Sequence, residues 1–480
     1  MNFLVNQFNS KAIDINSKTL KVPSFFMISN LGGGGSDKYR ETVYLDMFKN
    51  IPCLYNYHYL TKADFAGRWL KQLYNYTTFA DFIDFTRTDM KDVCGYYCED
   101  YNFSPYNAQE TIYLLDSGAA NIINDMLKEC SITSSEEIFL EELLKKMKSY
   151  YDFSNRFKFD IVIGFDIGGK YTFKGDERSN TDIIEGNTHI KNNATSINNW
   201  LLEETIIYLS SLPNFYPKVF ATVHGSTPKE YYENVLYILE LEKKFDFKFD
   251  GFALGGIASS KSLDKETWGI SKEVLTKISS LVSGRAGREE VYNAIIASFA
   301  CRIVSNVVGN RPIHALGAGG KMNIIPLYYS GATSFDSQTP GRRAYDGNDS
   351  SSSLIFNPDS SQSFSKYLLP LIDTNLSFYT NLDAGNYIKL NKVDTTLCTC
   401  PICTNYPVPL LKDLYSKKHI SNEYYYLSRQ LINGHSILQH NLLCDFAHSN
   451  STSSKDPIVI NNSDLGAILN YIIYDFDYKI

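Results

Sequence analysis

Eight short apolar runs divide most of this chain into alternating strand and helix segments. From about residue 110 onward, runs of strand character alternate with longer segments of helical period, which is typical of a parallel sheet with helical crossovers. Two further runs stand nearer the N-terminus. The eight runs are VPSFFMIS (22–29), NIPCLYNYHYL (50–60), TIYLLDSG (111–118), FDIVIGFDIGG (159–169), KVFATVHG (218–225), FDGFALGG (249–256), IHALGAGG (313–320) and GATSFDS (331–337).

Eight strand–helix units suit a closed (β/α)8 barrel. The alternative is an open doubly wound sheet, but no G-x-G-x-x-G motif opens a helix after the first strand. The nearest glycine-rich loop, NLGGGGSDK (30–38), lacks the G-K-[ST] ending of a phosphate loop. We therefore favour an α/β fold with a (β/α)8 TIM barrel, whose functional site lies at the carboxyl ends of the strands.

Two of the predicted helices carry clear local signals. Thr227–Glu230 has the form of a capping box with proline at the first helical position, and an apolar stripe follows over residues 231–239. The second helix has apolar residues every four positions, so they share one face: Val291, Ile295, Phe299 and Ile303.

The composition limits the class of protein. With 44% hydrophobic and 21% charged residues, the 480-residue chain can bury a large core. No segment has the pattern of a secretory signal or a membrane span, so we expect a cytoplasmic protein with no membrane partner. The nine cysteines are odd in number and mostly scattered, which indicates reduced thiols. A net charge of −7 means that any nucleic acid would need a local basic surface.

Three cysteines lie within six residues in TTLCTCPICTNYPVP (395–409). Cys398, Cys400 and Cys403 can present three thiolates to one zinc ion, and a fourth ligand must come from elsewhere. The downstream candidates are His419, His435, His440, Cys444 and His448. We favour His440, because Ile437, His440 and Leu443 recur at helical spacing along one side of a predicted helix.

These patterns predict three regions. Residues 1–394 form the barrel catalytic region, and residues 395–450 form a zinc-binding subdomain bracketed by polar loops. Residues 451–480 return to the barrel as a C-terminal helix, for which LGAILNYIIYDF (465–476) supplies the apolar sequence.

The motifs DSGAAN, GFDIGG, VHG, GFALGGIA, HALGAGG, FDSQTPGRRA and CTCPICTNY, followed by QHNLL, occur in this order. Together they resemble the landmarks of the tRNA-guanine transglycosylase superfamily over roughly residues 22–445. The resemblance implies a (β/α)8 barrel with a structural Zn2+ subdomain, and exchange of a guanine in nucleic acid for a 7-deazaguanine. The zinc histidine of that family precedes an asparagine, as His440 precedes Asn441, although the loop between Cys403 and His440 is longer here.

The resemblance also assigns roles to the carboxylates. Asp336, in SFDSQTP, matches the nucleophile that forms a covalent glycosyl–enzyme intermediate. Asp116 matches the general acid–base, with Ser117 beside it as a substrate-binding residue. Asp166 matches the carboxylate that accepts hydrogen bonds from the N–H edge of the base. Base exchange needs a nucleophile and a proton donor, and carboxylates in different environments can supply both.

Five further residues match binding positions of the family. Gly255 and Gly256 would let the backbone approach the base, and His224 stands where the family more often has glutamine. Arg342 and Arg343 follow the nucleophile as phosphate-contacting arginines do.

The sequence also departs from the family pattern. Lys261 occupies the position of a glutamate that accepts an ammonium substituent, so we expect the neutral nitrile base preQ0 rather than preQ1 as the small-molecule substrate. The stacking aromatic after Asp116 is replaced by Ala120, and the neighbouring glutamine by Asn121. These departures resemble the DNA-modifying branch, the DpdA proteins.

We therefore expect DNA as the partner, with helper proteins of a DNA-modification cluster as possible further partners. Two alternatives stay open, namely the same chemistry on tRNA and a non-catalytic nucleic-acid-binding subunit. The resemblance further suggests a homodimer.

Overall fold

The structure of the protein is a computed structural model. It describes residues 12–29, 51–61, 72–85, 107–129, 135–167, 193–257, 267–281, 285–320, 323–338, 340, 434, 437–438, 440–445 and 447–448. Within these residues, eight parallel strands close into a barrel in the order β10-β3-β4-β5-β6-β7-β8-β9. The strands are β3 (Ser24–Ile28), β4 (Cys53–Asn56), β5 (Tyr113–Asp116), β6 (Ile161–Ile163), β7 (Lys218–Val223), β8 (Gly251–Leu254), β9 (Ile313–Ala315) and β10 (Ser334–Asp336).

From β4 onward, helices lie between successive strands along the chain. They are α1 (Tyr57–Thr61), α2 (Ala119–Glu129), α3 (Glu136–Arg156), α4 (Ala194–Ser211), α5 (Pro228–Phe245), α6 (Lys272–Leu281), α7 (Arg285–Val308) and α8 (Ile324–Tyr329). The predicted barrel is confirmed, because β10 pairs in parallel with both β9 and β3 and so closes the sheet. The open sheet is thereby excluded.

All eight apolar runs contain a barrel strand. The second run is the least regular: its strand ends at Asn56, and Tyr57–Thr61 already form α1. In the predicted capping box, Thr227 is confirmed as the N-cap, whereas the Glu230 carboxylate accepts from Ser226 N at 2.5 Å rather than from Thr227 N. The Thr227 side chain accepts a hydrogen bond from Glu230 N at 3.1 Å, and Pro228 occupies the first turn of α5.

The two faces of the strands bury two different cores. Inside the barrel lie Phe26, Leu54, Leu114, Ile161, Ile163, Phe220 and Ala253. The alternate positions, such as Phe25, Tyr113 and Leu115, belong to the larger core between the strands and the helices. This period of two follows from strand geometry, and it decides which polar side chains at the strand ends face inward.

A feature that the sequence analysis did not identify closes the amino end of the barrel. β1 (Ala12–Ile15) and β2 (Lys18–Lys21) form an antiparallel hairpin. Ile15 and Leu20 of this hairpin join the inner core, and Lys18 forms a 2.8 Å ion pair with the buried Asp160 just before β6. The hairpin therefore plugs the end of the barrel opposite the predicted site.

The helix α7 contains the predicted apolar face, and Val291, Ile295, Phe299 and Ile303 are all buried. By length and composition its window Val291–Val308, with a mean hydropathy of 1.5, could cross a membrane. However, 72% of this window is buried inside the protein, where the helix packs against α5 and α8. A core helix of a barrel is buried in the same way and passes the same test of length and composition.

Residues 434, 437–438, 440–445 and 447–448 are helical, as predicted for this segment. Ile437, His440 and Leu443 are each 2% exposed or less, so the predicted inward face is confirmed. The residues that the structure describes do not include the three clustered cysteines or the C-terminal helix predicted over 465–476, so the zinc subdomain and the C-terminal region stay predictions.

Candidate active site

Three carboxylates meet at the carboxyl end of the barrel. Asp116 and Asp336 are the last residues of β5 and β10, and Asp166 follows β6 by three residues. Because Leu114 points into the barrel, the period of two directs Asp116 the same way, and Phe335 of β10 packs outward beside the inward Asp336. The structure therefore brings together the three aspartates that the sequence singles out.

Asp116 is partly buried, and its neighbours disfavour its negative charge. Burial, followed by the charges of Asp166 and Asp336, raises its pKa to about 7. Backbone N–H groups of Gly118 and Ser117 oppose this rise, and the Asn56 amide donates to Asp116 Oδ2 at 3.1 Å. A carboxyl group titrating near neutral pH can both donate and accept a proton in one catalytic cycle.

Gly118 makes the contact between Asn56 and Asp116 possible. It adopts a left-handed conformation with φ of +68°, and a Cβ at this position would overlap the Asn56 side chain. Its own N–H donates to Asp116 Oδ2 at 3.2 Å. The glycine of the DSGAAN motif therefore donates a hydrogen bond to the Asp116 carboxylate and leaves room for the Asn56 side chain.

Asp336 has a different environment. Its Oδ1 accepts a 2.7 Å hydrogen bond from Gly317 N and lies 3.1 Å from His314 Nε2. Its backbone carbonyl accepts from Gly319 N at 2.7 Å. The HALGAGG segment thus wraps around the end of β10 and fixes the nucleophile predicted there.

Asp166 is hydrogen-bonded to His224, the first residue after β7. Both side chains are largely buried, with exposed fractions of 13% and 11%. The backbone around Asp166 is held from two helices: Phe165 N donates to the Tyr151 hydroxyl at 3.0 Å, and Ile167 N donates to Asn198 Oδ1 at 2.9 Å. The protein's own contacts therefore fix this pair.

Gly255 lies against the His224 ring, and a Cβ there would overlap it. The Tyr231 hydroxyl donates to the Gly255 carbonyl at 2.6 Å and fixes the backbone at this point. Gly256 follows with a φ of +74°, which favours glycine. The close neighbour of Gly255 in this structure is a histidine ring, and the approach of a base to these glycines stays a prediction.

Ser117 is buried, and its hydroxyl accepts a 3.2 Å hydrogen bond from Ala119 N at the start of α2. The structure thus gives this predicted substrate-binding residue a helix-capping contact. Arg342, Arg343 and Lys261 lie outside the described residues, as do Cys398, Cys400 and Cys403.

His440 is the one predicted zinc ligand that the structure describes. It is 1% exposed, and its ring centroid lies 4.8 Å from that of Phe25 on β3. In the part of the chain that is described, no group of three or more His, Cys, Asp or Glu side chains could hold a metal ion. The predicted zinc site thus depends on cysteines that the structure does not describe.

The chain was also compared with known proteins. Neither a protein-family model nor a curated protein matches it. The motif resemblance and the geometry at the barrel mouth therefore carry the functional argument.

Several residues of this site were not identified from the sequence. Asn56 interrupts the apolar run over residues 50–60, and His314 stands inside an otherwise apolar strand; these two interruptions were the available signals. Tyr150 gave no such signal, because it sits among the apolar residues of α3. Its hydroxyl donates to the carbonyls of Leu115 and Ile163 at 2.8 and 2.7 Å and so links β5 to β6.

Proposed function

We propose that this protein exchanges a guanine base in DNA for the 7-deazaguanine preQ0. The observation that carries the proposal is the pairing of Asp116, whose pKa is raised to about 7, with Asp336, which is anchored by two N–H donors. Two carboxylates in contrasting environments at one barrel mouth suit a mechanism that needs both a proton donor and a nucleophile.

In the first step, a carboxylate oxygen of Asp336 forms a bond to C1′ of the target nucleotide. The C1′–N9 bond breaks, its electron pair leaves with guanine, and the protonated Asp116 supplies a proton to the departing base. In the second step, Asp116 accepts the N9 proton of preQ0. N9 then bonds to C1′, and the ester bond to Asp336 breaks. Both carboxyl groups return to their starting states.

Asp166 and His224 supply the base-recognition groups of this proposal. A carboxylate accepts from the N1–H and 2-amino groups of a guanine-like ring, a pattern that adenine lacks. Because His224 holds Asp166 by a hydrogen bond within the protein, the carboxylate is oriented in advance. The preference for the nitrile base depends on Lys261, whose charge would repel an ammonium substituent.

DNA is favoured over tRNA by the departures at Lys261 and Ala120, which resemble the DNA-modifying branch. A stacked base cannot reach the end of a barrel, so the target nucleotide must be flipped or locally unpaired. Arg342 and Arg343 are the residues that we assign to the phosphate backbone.

Zinc would be held by Cys398, Cys400, Cys403 and His440, and it would supply structure rather than chemistry. The burial of His440 against Phe25 fits this role, because a ligand fixed on the barrel would join the cysteine segment to it.

The deciding experiment measures the incorporation of labelled guanine into plasmid DNA and, separately, into bulk tRNA. We expect the labelled guanine to enter DNA, and we expect preQ0 but not preQ1 to displace it. Incorporation into tRNA alone would assign the same chemistry to the other nucleic acid. Tight binding without incorporation into either would indicate a binding subunit and contradict the proposal.

The zinc assignment is tested by metal analysis of purified protein. We expect about one zinc per chain, and loss of most of it in Cys400→Ser together with a lower melting temperature. Cys301→Ala is the matched control, since Cys301 is a buried free thiol on α7 and is not among the candidate ligands. Equal zinc contents in the wild type and Cys400→Ser would contradict the assignment.

A further inference from the structure

A buried histidine beside the proposed nucleophile has no role in the steps above. His314 is the middle residue of β9 and is fully buried. Its Nε2 lies 3.1 Å from Asp336 Oδ1, and its Nδ1 lies 2.8 Å from Ser334 Oγ. Both partners belong to β10, so the ring lies along the strand that carries the nucleophile.

The chemistry of the two partners assigns the ring nitrogens. An ionised carboxylate only accepts hydrogen bonds, so Nε2 donates to Asp336. In a neutral imidazole the other nitrogen then accepts, and the Ser334 hydroxyl is the donor. The ring of Phe26 meets the imidazole edge-on, with centroids 5.3 Å apart. These three contacts fix both the orientation and the tautomer of the ring.

The two oxygens of Asp336 are not equivalent. Oδ1 takes the hydrogen bonds from both His314 and Gly317, whereas Oδ2 makes none within the described part of the chain. We propose that His314 is a positioning residue that, together with the Gly317 N–H, holds Oδ1 so that Oδ2 bonds to C1′. This inference rests on the proposed base exchange and names the attacking atom.

The same contact serves both steps of the exchange. While the ester exists, Oδ1 is its carbonyl oxygen and still accepts from His314 and Gly317. When the ester bond breaks, negative charge returns to the carboxylate, and donors already in place stabilise it without rearranging. Loss of the His314 donor would let the carboxyl group rotate away from the attacking geometry, and small displacements of a reacting group are costly.

The test compares His314→Phe, which removes the donor, with His314→Gln, whose amide can still donate. For His314→Phe we expect kcat for guanine exchange to fall about 100-fold with little change in KM, and the covalent DNA adduct to form correspondingly more slowly. His314→Gln should return kcat to within about tenfold of the wild type. A general packing defect would not be corrected by glutamine in this way.

Ser334→Ala provides a second, smaller change in case His314→Phe does not fold. It removes the hydrogen bond to Nδ1, and we expect a severalfold lower kcat at unchanged KM. Folding of each variant is checked by its melting temperature.

Folded His314→Phe or Ser334→Ala with wild-type kcat would overturn the inference, as would a glutamine variant no better than phenylalanine. If the wild type itself exchanges no base in DNA or tRNA, the proposed function fails, and the inference falls with it.

Discussion

Both ends of the barrel contain a carboxylate in a buried setting, but only one end neutralises its charge. At the amino end, Asp160 is fully buried and forms an ion pair with Lys18, and Tyr113 N donates to the same carboxylate oxygen. At the carboxyl end, Asp116 has two further aspartates as electrostatic neighbours, and both raise its pKa. Burial raises the pKa at each end, whereas the lysine lowers it at the amino end alone.

The difference separates a structural charge from one that we propose is functional. A buried carboxylate with a cationic partner and a backbone donor closes the barrel. Like charges at the other end cost stability, and such clusters persist where chemistry needs them. We therefore expect substitutions at the amino end to lower the stability of the protein, and substitutions at the carboxyl end to lower the rate of guanine exchange.

The largest effect is expected from Asp336→Asn. An amide cannot form the glycosyl ester, so guanine exchange should fall at least about 10³-fold, and no covalent DNA adduct should be trapped. The melting temperature should change little, because the amide oxygen can keep the hydrogen bonds from His314 and Gly317. An exchange rate within tenfold of the wild type would remove Asp336 as nucleophile.

At the amino end, Lys18→Met should act on stability alone. It leaves Asp160 buried without its cation, which typically costs about 3–5 kcal/mol of unfolding free energy. Lys21→Met is the matched control on the same hairpin. The side chains of Lys21 and its partner Asp445 are 61% and 43% exposed, so we expect a loss below about 1 kcal/mol.

Urea unfolding measures both variants, and exchange assays at a temperature where they are folded should give wild-type rates. If Lys18→Met were no less stable than Lys21→Met, the contrast between the two ends would fail.

Asp116→Asn should change stability by less than Lys18→Met does, and in the opposite direction. The folded-state pKa of Asp116 is raised from 3.8 to about 7, so the folded protein binds the proton more tightly than the unfolded chain. The wild type therefore loses stability as the pH rises from about 4 to 7. At pH 8, Asp116→Asn should be more stable by on the order of 2 kcal/mol, with the difference shrinking toward pH 4.

The same substitution should impair catalysis by about 10²-fold or more, because asparagine cannot transfer the proton. In the wild type, kcat/KM should decline above about pH 7 as Asp116 loses its proton. Urea unfolding at pH 4, 6 and 8, with exchange rates over the same range, measures both effects. A stability difference that does not vary with pH would contradict the role given to Asp116.

The sequence predicted the barrel well because each strand run is apolar on both faces and is bounded by glycine or polar residues. It missed the hairpin of β1 and β2, whose short, mixed-polarity strands gain their stability from Ile15 and Leu20 in the inner core. The site was predicted in part. The three aspartates belong to recognisable motifs, but Asn56 contacts Asp116 from 60 residues earlier in the chain, and His314 contacts Asp336 from the preceding strand, 22 residues earlier.

The sequence by itself determined the alternation of strands and helices, the polar residues at the strand ends and the order of the motifs. These are local properties, set by side-chain period and by the residues beside each run. Only the tertiary structure decided that the strands close, that His224 holds Asp166 and that Asp116 titrates near neutral pH. Those properties depend on burial and on charges that closure brings together across the barrel, and no single segment contains them.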